Sequence, residues 1–211
     1  MFKIQFILFI AIVILFTSCT NEPKRSYFEN GELKSELNYS GEVLDGVSKY
    51  FYETGVLQSE YNYKNGVLDG KVSEYYFNGT LKEERYYENG KQNLIAKSYM
   101  KDGNIRESYT FANNQKNGKY FSYYREGNVR IEGEYINDQL HGHWTYYDRY
   151  GRTIGEGDFD NGTGLLSQYY SNGKIKHSVE YANSEKNGSE NYYDKDGKIT
   201  KSIEFRNGVG V

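Results

Sequence analysis

Proline is all but missing. Pro23 is the only one in 211 residues, so nearly every backbone amide beyond it remains free to donate into a ladder. Cysteine occurs once, at Cys19, which excludes an internal disulfide. No long apolar run follows Phe16. Hydrophobic content of 37% and a mean hydropathy of -0.85 are low for a large buried core. An excess of one charge sign is lacking too: 26 basic and 29 acidic residues are interspersed, for a net -3. A nucleic-acid binder needs a clustered basic face, so no nucleic-acid partner is expected.

What the chain has in abundance is tyrosine, 24 residues against 11 phenylalanines, and it recurs in register. Glycines at Gly31, Gly55, Gly79, Gly103, Gly127, Gly151, Gly173 and Gly197 are 24 residues apart, except for 22 between Gly151 and Gly173. Such a period marks an array of supersecondary units. Four residues before each glycine stands Tyr27, Phe51, Tyr75, Tyr99, Tyr123, Tyr147, Tyr169 or Tyr193. Eight after it stands another aromatic, Tyr39 through Phe205. A second glycine series, Gly46, Gly70, Gly118, Gly142, Gly164 and Gly188, is broken by Leu94. Asn-Gly occurs nine times and Asp-Gly four times, the residues that hairpin turns with positive φ require.

Between turns, apolar and charged residues alternate, as in Leu81-Lys82 and Glu84, a strand period rather than a helical one. The Lys and Glu positions read as a solvated face of weak ion pairs. Thr153 and Ile154 look shifted by one residue, as a bulge or a longer turn would shift them. The fold expected is all-β: about eight stacked antiparallel β-hairpins in one elongated twisted sheet, roughly 75 Å long before twist. A single layer leaves both faces partly wet, and tyrosine suits that by packing its ring while keeping its hydroxyl in water.

Met1-Phe2-Lys3 and the apolar stretch from Ile4 to Phe16 read as a secretion signal too short to span a bilayer comfortably. Phe16-Thr17-Ser18-Cys19 resembles the bacterial lipoprotein lipobox, which implies cleavage before Cys19 and lipidation of that residue. The expected organisation is a signal peptide over 1–18, a tether over 19–26 and the repeat array over 27–211. The expected location is the bacterial cell envelope, membrane-anchored, periplasmic or surface-exposed.

Leu140-His141-Gly142-His143-Trp144-Thr145-Tyr146-Tyr147, with the Tyr-Tyr-x-Asn-Gly phrases, resembles the bacterial MORN-repeat variant family. The resemblance covers Tyr27 to Val211 and implies stacked hairpins in an elongated sheet. Many bacterial members carry an antitoxin-like label, which implies protein binding and no particular chemistry.

Candidate chemistry is sparse. His141 and His143 could share a metal, but a structural site needs four ligands and no further set accompanies them. Asp158, Asp160 and Asn161 lack the longer ligand series of a calcium loop. Gly155-Glu156-Gly157 precedes no helix that could cradle phosphate. No Gly-x-Ser-x-Gly elbow occurs, and the paired carboxylates repeat with the scaffold. The reading is therefore a non-catalytic scaffold without cofactor or metal, held to the membrane by lipid on Cys19 and binding an unknown protein. Trp144, His143 and Tyr146 are its candidate anchors, because the repeat alone does not place them. The alternatives are glycan or lipid binding through the tyrosine rows, and an antitoxin-like or immunity-type binding role. Weak end-to-end self-association is also expected, because the strand after Gly197 is either an exposed edge or covered only by Phe205 to Val211.

Overall fold

The computed structural model describes residues 22–211. The segment 1–18, Cys19 and the next two tether residues lie outside the described residues. Seventeen strands follow one another: β1 Lys24–Tyr27, β2 Leu33–Ser40, β3 Val43–Phe51, β4 Leu57–Lys64, β5 Val67–Tyr75 and β6 Leu81–Glu88. Then come β7 Lys91–Tyr99, β8 Ile105–Ala112, β9 Gln115–Tyr123, β10 Val129–Ile136, β11 Gln139–Tyr147 and β12 Thr153–Asp160. The series ends with β13 Thr163–Tyr169, β14 Ile175–Ala182, β15 Glu185–Tyr193, β16 Ile199–Arg206 and β17 Val209–Gly210. Each strand pairs antiparallel with its sequence neighbours, giving one open all-β sheet of stacked hairpins.

Two turn types alternate along the meander. At the first, the glycine amide bonds a carbonyl three residues back, as Gly79 does to Tyr76 at 2.8 Å. The glycine itself takes a positive φ, 82° at Gly79, which an L side chain resists. The second turn has two residues, both left-handed, as at Asn65 (50°) and Gly66 (79°), the geometry that matches strand twist in tight hairpins.

Within a unit the pairing slips by a bulge near the second glycine series, for example between Tyr61 and Tyr63. Gly46, Gly70, Gly118, Gly142 and Gly188 all have positive φ there. Leu94 occupies the same place with φ 63°, 64% exposed. A leucine in the left-handed region carries strain and here buries little in return. Leu94→Gly is therefore expected to stabilise the chain by about 1 kcal/mol, less whatever the added chain entropy takes back. Gly118→Ala should act in the opposite sense, since its Cβ would meet Thr110 at 3.1 Å. Denaturant midpoints check both, and a destabilised Leu94→Gly variant would mean that the leucine packs usefully.

The short unit departs from the rest at a different place from the one the sequence suggested. Thr153 pairs with Tyr147 as Val129 pairs with Tyr123, so no extra shift occurs at Thr153 and Ile154. The two missing residues are lost from β13, and β12 and β13 pair without a slip. The deletion thus removes a bulge instead of adding one.

Three columns of bonds hold the units to one another. Two-residue turns bond to their neighbours, as Gly66 N donates to Leu44 O and Gly90 N to Leu68 O. The hydroxyls of Tyr52, Tyr76, Tyr124 and Tyr170 donate to the carbonyls of Tyr75, Tyr99, Tyr147 and Tyr193, 23 residues on, at 2.6–2.9 Å. On one face, the hydroxyls of Tyr99, Tyr147 and Tyr169 reach back to the carboxylates of Glu84, Glu132 and Glu156. Each bond contributes about 1 kcal/mol net, and the sum accrues unit by unit.

The carboxylate face is less solvated than its charges suggest. Glu84 is 8% exposed, with Lys71 Nζ at 2.8 Å and Lys97 Nζ at 3.7 Å. Burial alone would raise its pKa. The bonds from Lys71 and Tyr99, with Lys97 nearby, outweigh burial and hold it below the ordinary carboxylate value.

The opposite face carries the apolar core. Tyr120, Trp144, Phe159, Leu166 and Val179 form its buried cluster, with Tyr109, Tyr135, Tyr146 and Tyr181 packed around them. A single sheet can bury these rings because glycines lie beneath them: a Cβ on Gly133 would sit 2.2 Å from the Trp144 ring.

Candidate binding surface

Trp144 proves to be an internal residue. It is 3% exposed, stacks on Tyr120 at 5.5 Å, meets Tyr135 edge-on at 5.1 Å, and donates its indole N–H to the His141 carbonyl at 3.2 Å. A ring so enclosed cannot anchor a partner on the surface, which corrects the expectation drawn from its rarity. Tyr146 sits beside it, half-buried, and burial pushes its hydroxyl pKa up to about 12, with Tyr181 and Tyr120 adding to the shift. Both belong to the packing of the aromatic face.

His143 lies on the other face and is accessible. Its Nδ1 is 2.8 Å from Asp158 Oδ1, and its Nε2 is 3.8 Å from Glu156 Oε2. The His143↔Asp158 and Thr145↔Glu156 pairs of β11 and β12 bring these groups together. His141 is separate, with Asp160 at 3.7 Å. Among the described residues, no group of three or more His, Cys, Asp or Glu side chains is placed to hold a metal ion.

Tyr50, Tyr52, Tyr76 and Tyr124 also stand outside the strict repeat. The last three donate to the next unit's carbonyls, as described above, and Tyr50 packs edge-on against Tyr61 at 5.8 Å. Their roles are therefore structural.

The most exposed aromatic among the described residues lies outside both aromatic series of the repeat. Tyr150 is 85% exposed and holds the residue before Gly151. Its turn is organised by Asp148, whose Oδ1 accepts the amides of Tyr150 (2.8 Å) and Arg152 (3.0 Å) while Oδ2 accepts Arg152 Nε (2.7 Å). Burial opposes the Asp148 charge, and these bonds outweigh it and lower its pKa. The Arg152 guanidinium is thereby fixed 5.4 Å from the centre of the Tyr150 ring. A signal was present: the seven equivalent slots carry Asn30, Thr54, Asn78, Asp102, Glu126, Asn172 and Asp196, all polar, and only this unit puts an aromatic there.

Two clefts of the same kind lie one unit apart here, Tyr150 lining one and Arg152 the other. The first, of about 460 Å³, is lined by Val129, Glu132, Tyr147, Arg149 and Tyr150. The second, of about 420 Å³, is lined by Arg152, Ile154, Glu156, Tyr169 and Tyr170 among others. Each has a tyrosine–glutamate hydrogen bond and an arginine in its lining, and each has room for a side chain or a small polar group.

A crystal structure of a porin-like protein from Bacteroides uniformis is similar over 90% of this chain and 92% of that one, at 10% identity and a TM-score of 0.24. That likeness is too low to bear on the fold. No curated protein matches the chain. Residues 24–40, 44–65, 68–89, 116–137 and 163–183 match the family described as MORN repeat variant. The five matched stretches all fall on hairpins of one uninterrupted sheet, so those hairpins are similar to MORN-variant repeats.

Proposed function

We propose that this chain is a non-catalytic, lipid-anchored scaffold of the bacterial cell envelope, and that it binds a protein partner along the turn edge around Tyr150. The observation that carries the reading is the Tyr150–Arg152 pair, whose two members line two equivalent clefts. Aromatic and arginine side chains supply most strong anchors at protein interfaces, and a sheet of locally stabilised units presents them without folding around a single pocket. Tyrosine hydroxyls committed to the next unit's carbonyls are poorly suited to serve as an open platform, which favours a protein partner over a glycan. Anchoring follows the lipobox resemblance, with acyl chains on Cys19 holding the array to the membrane.

One experiment tests both parts. Cells expressing wild type, Cys19→Ala or Tyr150→Ala are fed a fatty-acid analogue, cross-linked and fractionated. Wild type should carry the label and retain its cross-linked partner in the membrane fraction, and Cys19→Ala should lose the label. Tyr150→Ala should keep the label and the fold but lose most of the partner. Equal labelling of wild type and Cys19→Ala removes the anchor, and undiminished capture by Tyr150→Ala removes the site.

A further inference from the structure

Among the described residues, β1 and β16 each leave an edge wholly or partly unpaired, and the two edges are complementary. β1 pairs with β2 through Lys24↔Leu37, Arg25↔Glu36, Ser26↔Ser35 and Tyr27↔Leu33. This is the register in which the end of β3 pairs with β4, through Ser48↔Tyr61, Lys49↔Glu60, Tyr50↔Ser59 and Phe51↔Leu57. β1 is thus in the place of the final half of a second strand, and its outer edge has no strand beside it in the described residues. At the other end, β17 pairs through Phe205↔Gly210 and Arg206↔Val209, as the start of β3 pairs through Tyr39↔Leu44 and Ser40↔Val43. β17 is the opening part of a second strand, and it leaves the outer edge of β16 from Ile199 to Ile203 without a strand beside it in the described residues.

We infer that β1 of a second copy adds to this open edge of β16 and continues the sheet from molecule to molecule in the register of the repeat. The register follows from the equivalent pairs in the preceding unit, His177↔Tyr192, Ser178↔Asn191 and Val179↔Glu190. It places Lys201 opposite the second copy's Ser26, Ser202 opposite its Arg25, and Ile203 opposite its Lys24. Side chains at the joint support it. Tyr193 lies with its hydroxyl 3.2 Å from Ser178 Oγ, and the same relation would place the second copy's Tyr27 on Ser202. Tyr27 is 60% exposed, whereas its seven counterparts, Phe51 through Tyr193, are half-buried by the unit before them. Ile199, 50% exposed, and Ile203 would gain cover from the added strand.

An edge strand with unpaired amides and carbonyls is a template for such addition. Because the two surfaces differ, the contact is head-to-tail and produces open chains of copies rather than closed dimers. It is short, and Lys24 and Lys201 fall diagonally on one face, so repulsion keeps it weak and reversible. Replacing Lys201 by glutamate turns that diagonal into an attraction.

The test uses the full chain in detergent with Cys19→Ala, which removes the native thiol. Ser26→Cys and Lys201→Cys are placed in separate, differently tagged molecules, mixed and oxidised. Cross-linked product should exceed that from Ser26→Cys with Thr200→Cys or Ser202→Cys by about tenfold, because those side chains point to the other face. Lys201→Glu, at an exposed position that leaves the circular dichroism unchanged, should shift sedimentation toward larger species at lower concentration. Equal cross-linking at all three positions would mean association without register. No cross-linking, with one sedimenting species over about a hundredfold concentration range, would mean no association. Either result overturns the inference.

Discussion

Trp144→Ala lowers the unfolding free energy by about 3–5 kcal/mol, the cost of emptying a buried aromatic site whose surroundings cannot collapse. The ring is 3% exposed, and Tyr120, Tyr135 and Phe159 pack on it at centroid distances of 5.1–6.4 Å. Beneath it lies Gly133, and opposite it on β12 stands Gly157, neither with a side chain to move into the space. The loss is local first, because units contact only their neighbours, so the middle of the array should melt ahead of its ends and broaden the transition. Urea unfolding followed by circular dichroism measures it. Gly133→Ala supplies the control: its methyl would stand 2.2 Å from the indole, so it destabilises wild type strongly. In the Trp144→Ala background the same methyl enters vacated space and should cost little, a coupling that appears only if ring and glycine are in contact. Additive losses, or a loss below about 1 kcal/mol for Trp144→Ala, would contradict the packing.

The same pair shows where sequence reading stops. The glycines at the turns were legible because left-handed geometry has few tenants, and the one exception, Leu94, was visible as an exception. Gly133 and Gly157 lie outside both glycine series, and their meaning depends on their neighbours in space: Gly133 makes room for the Trp144 ring, Gly157 for the Leu165–Leu166 backbone and the Phe159 ring. In a single-layer sheet most positions are half-exposed, so alternation tells that two residues lie on opposite faces without telling which face is covered. That is why Trp144 read as a surface anchor. The hydroxyls of Tyr52, Tyr76, Tyr124 and Tyr170 were opaque for a related reason, since their acceptors lie 23 residues away. Tyr150 was readable from its slot alone, where a turn residue was due.

Removing residues 75–98 should leave a shorter protein that still folds, whereas removing residues 81–92 should not. The first deletion joins Glu74 to Tyr99, so β5 takes the place of β7 and pairs with β8. Strand direction, face and bulge positions are all kept. Val72 moves beside Tyr109 in place of Ala96, and the Tyr52 hydroxyl finds the Tyr99 carbonyl where it had found that of Tyr75. The cost is one unit's share of a sum of local terms. The second deletion removes β6 with its two-residue turn, so what remains of β7 must lie antiparallel to β5. Second strand then meets second strand, and every later strand runs the wrong way for its place in the stack. Glu84 is lost while Lys71 and Tyr99, which bond it, remain. The β-sheet circular dichroism should survive the first deletion with a lowered denaturant midpoint and collapse in the second, with aggregation through the mismatched edges. Equal damage from both would mean that the hairpin pair is not the unit of this fold.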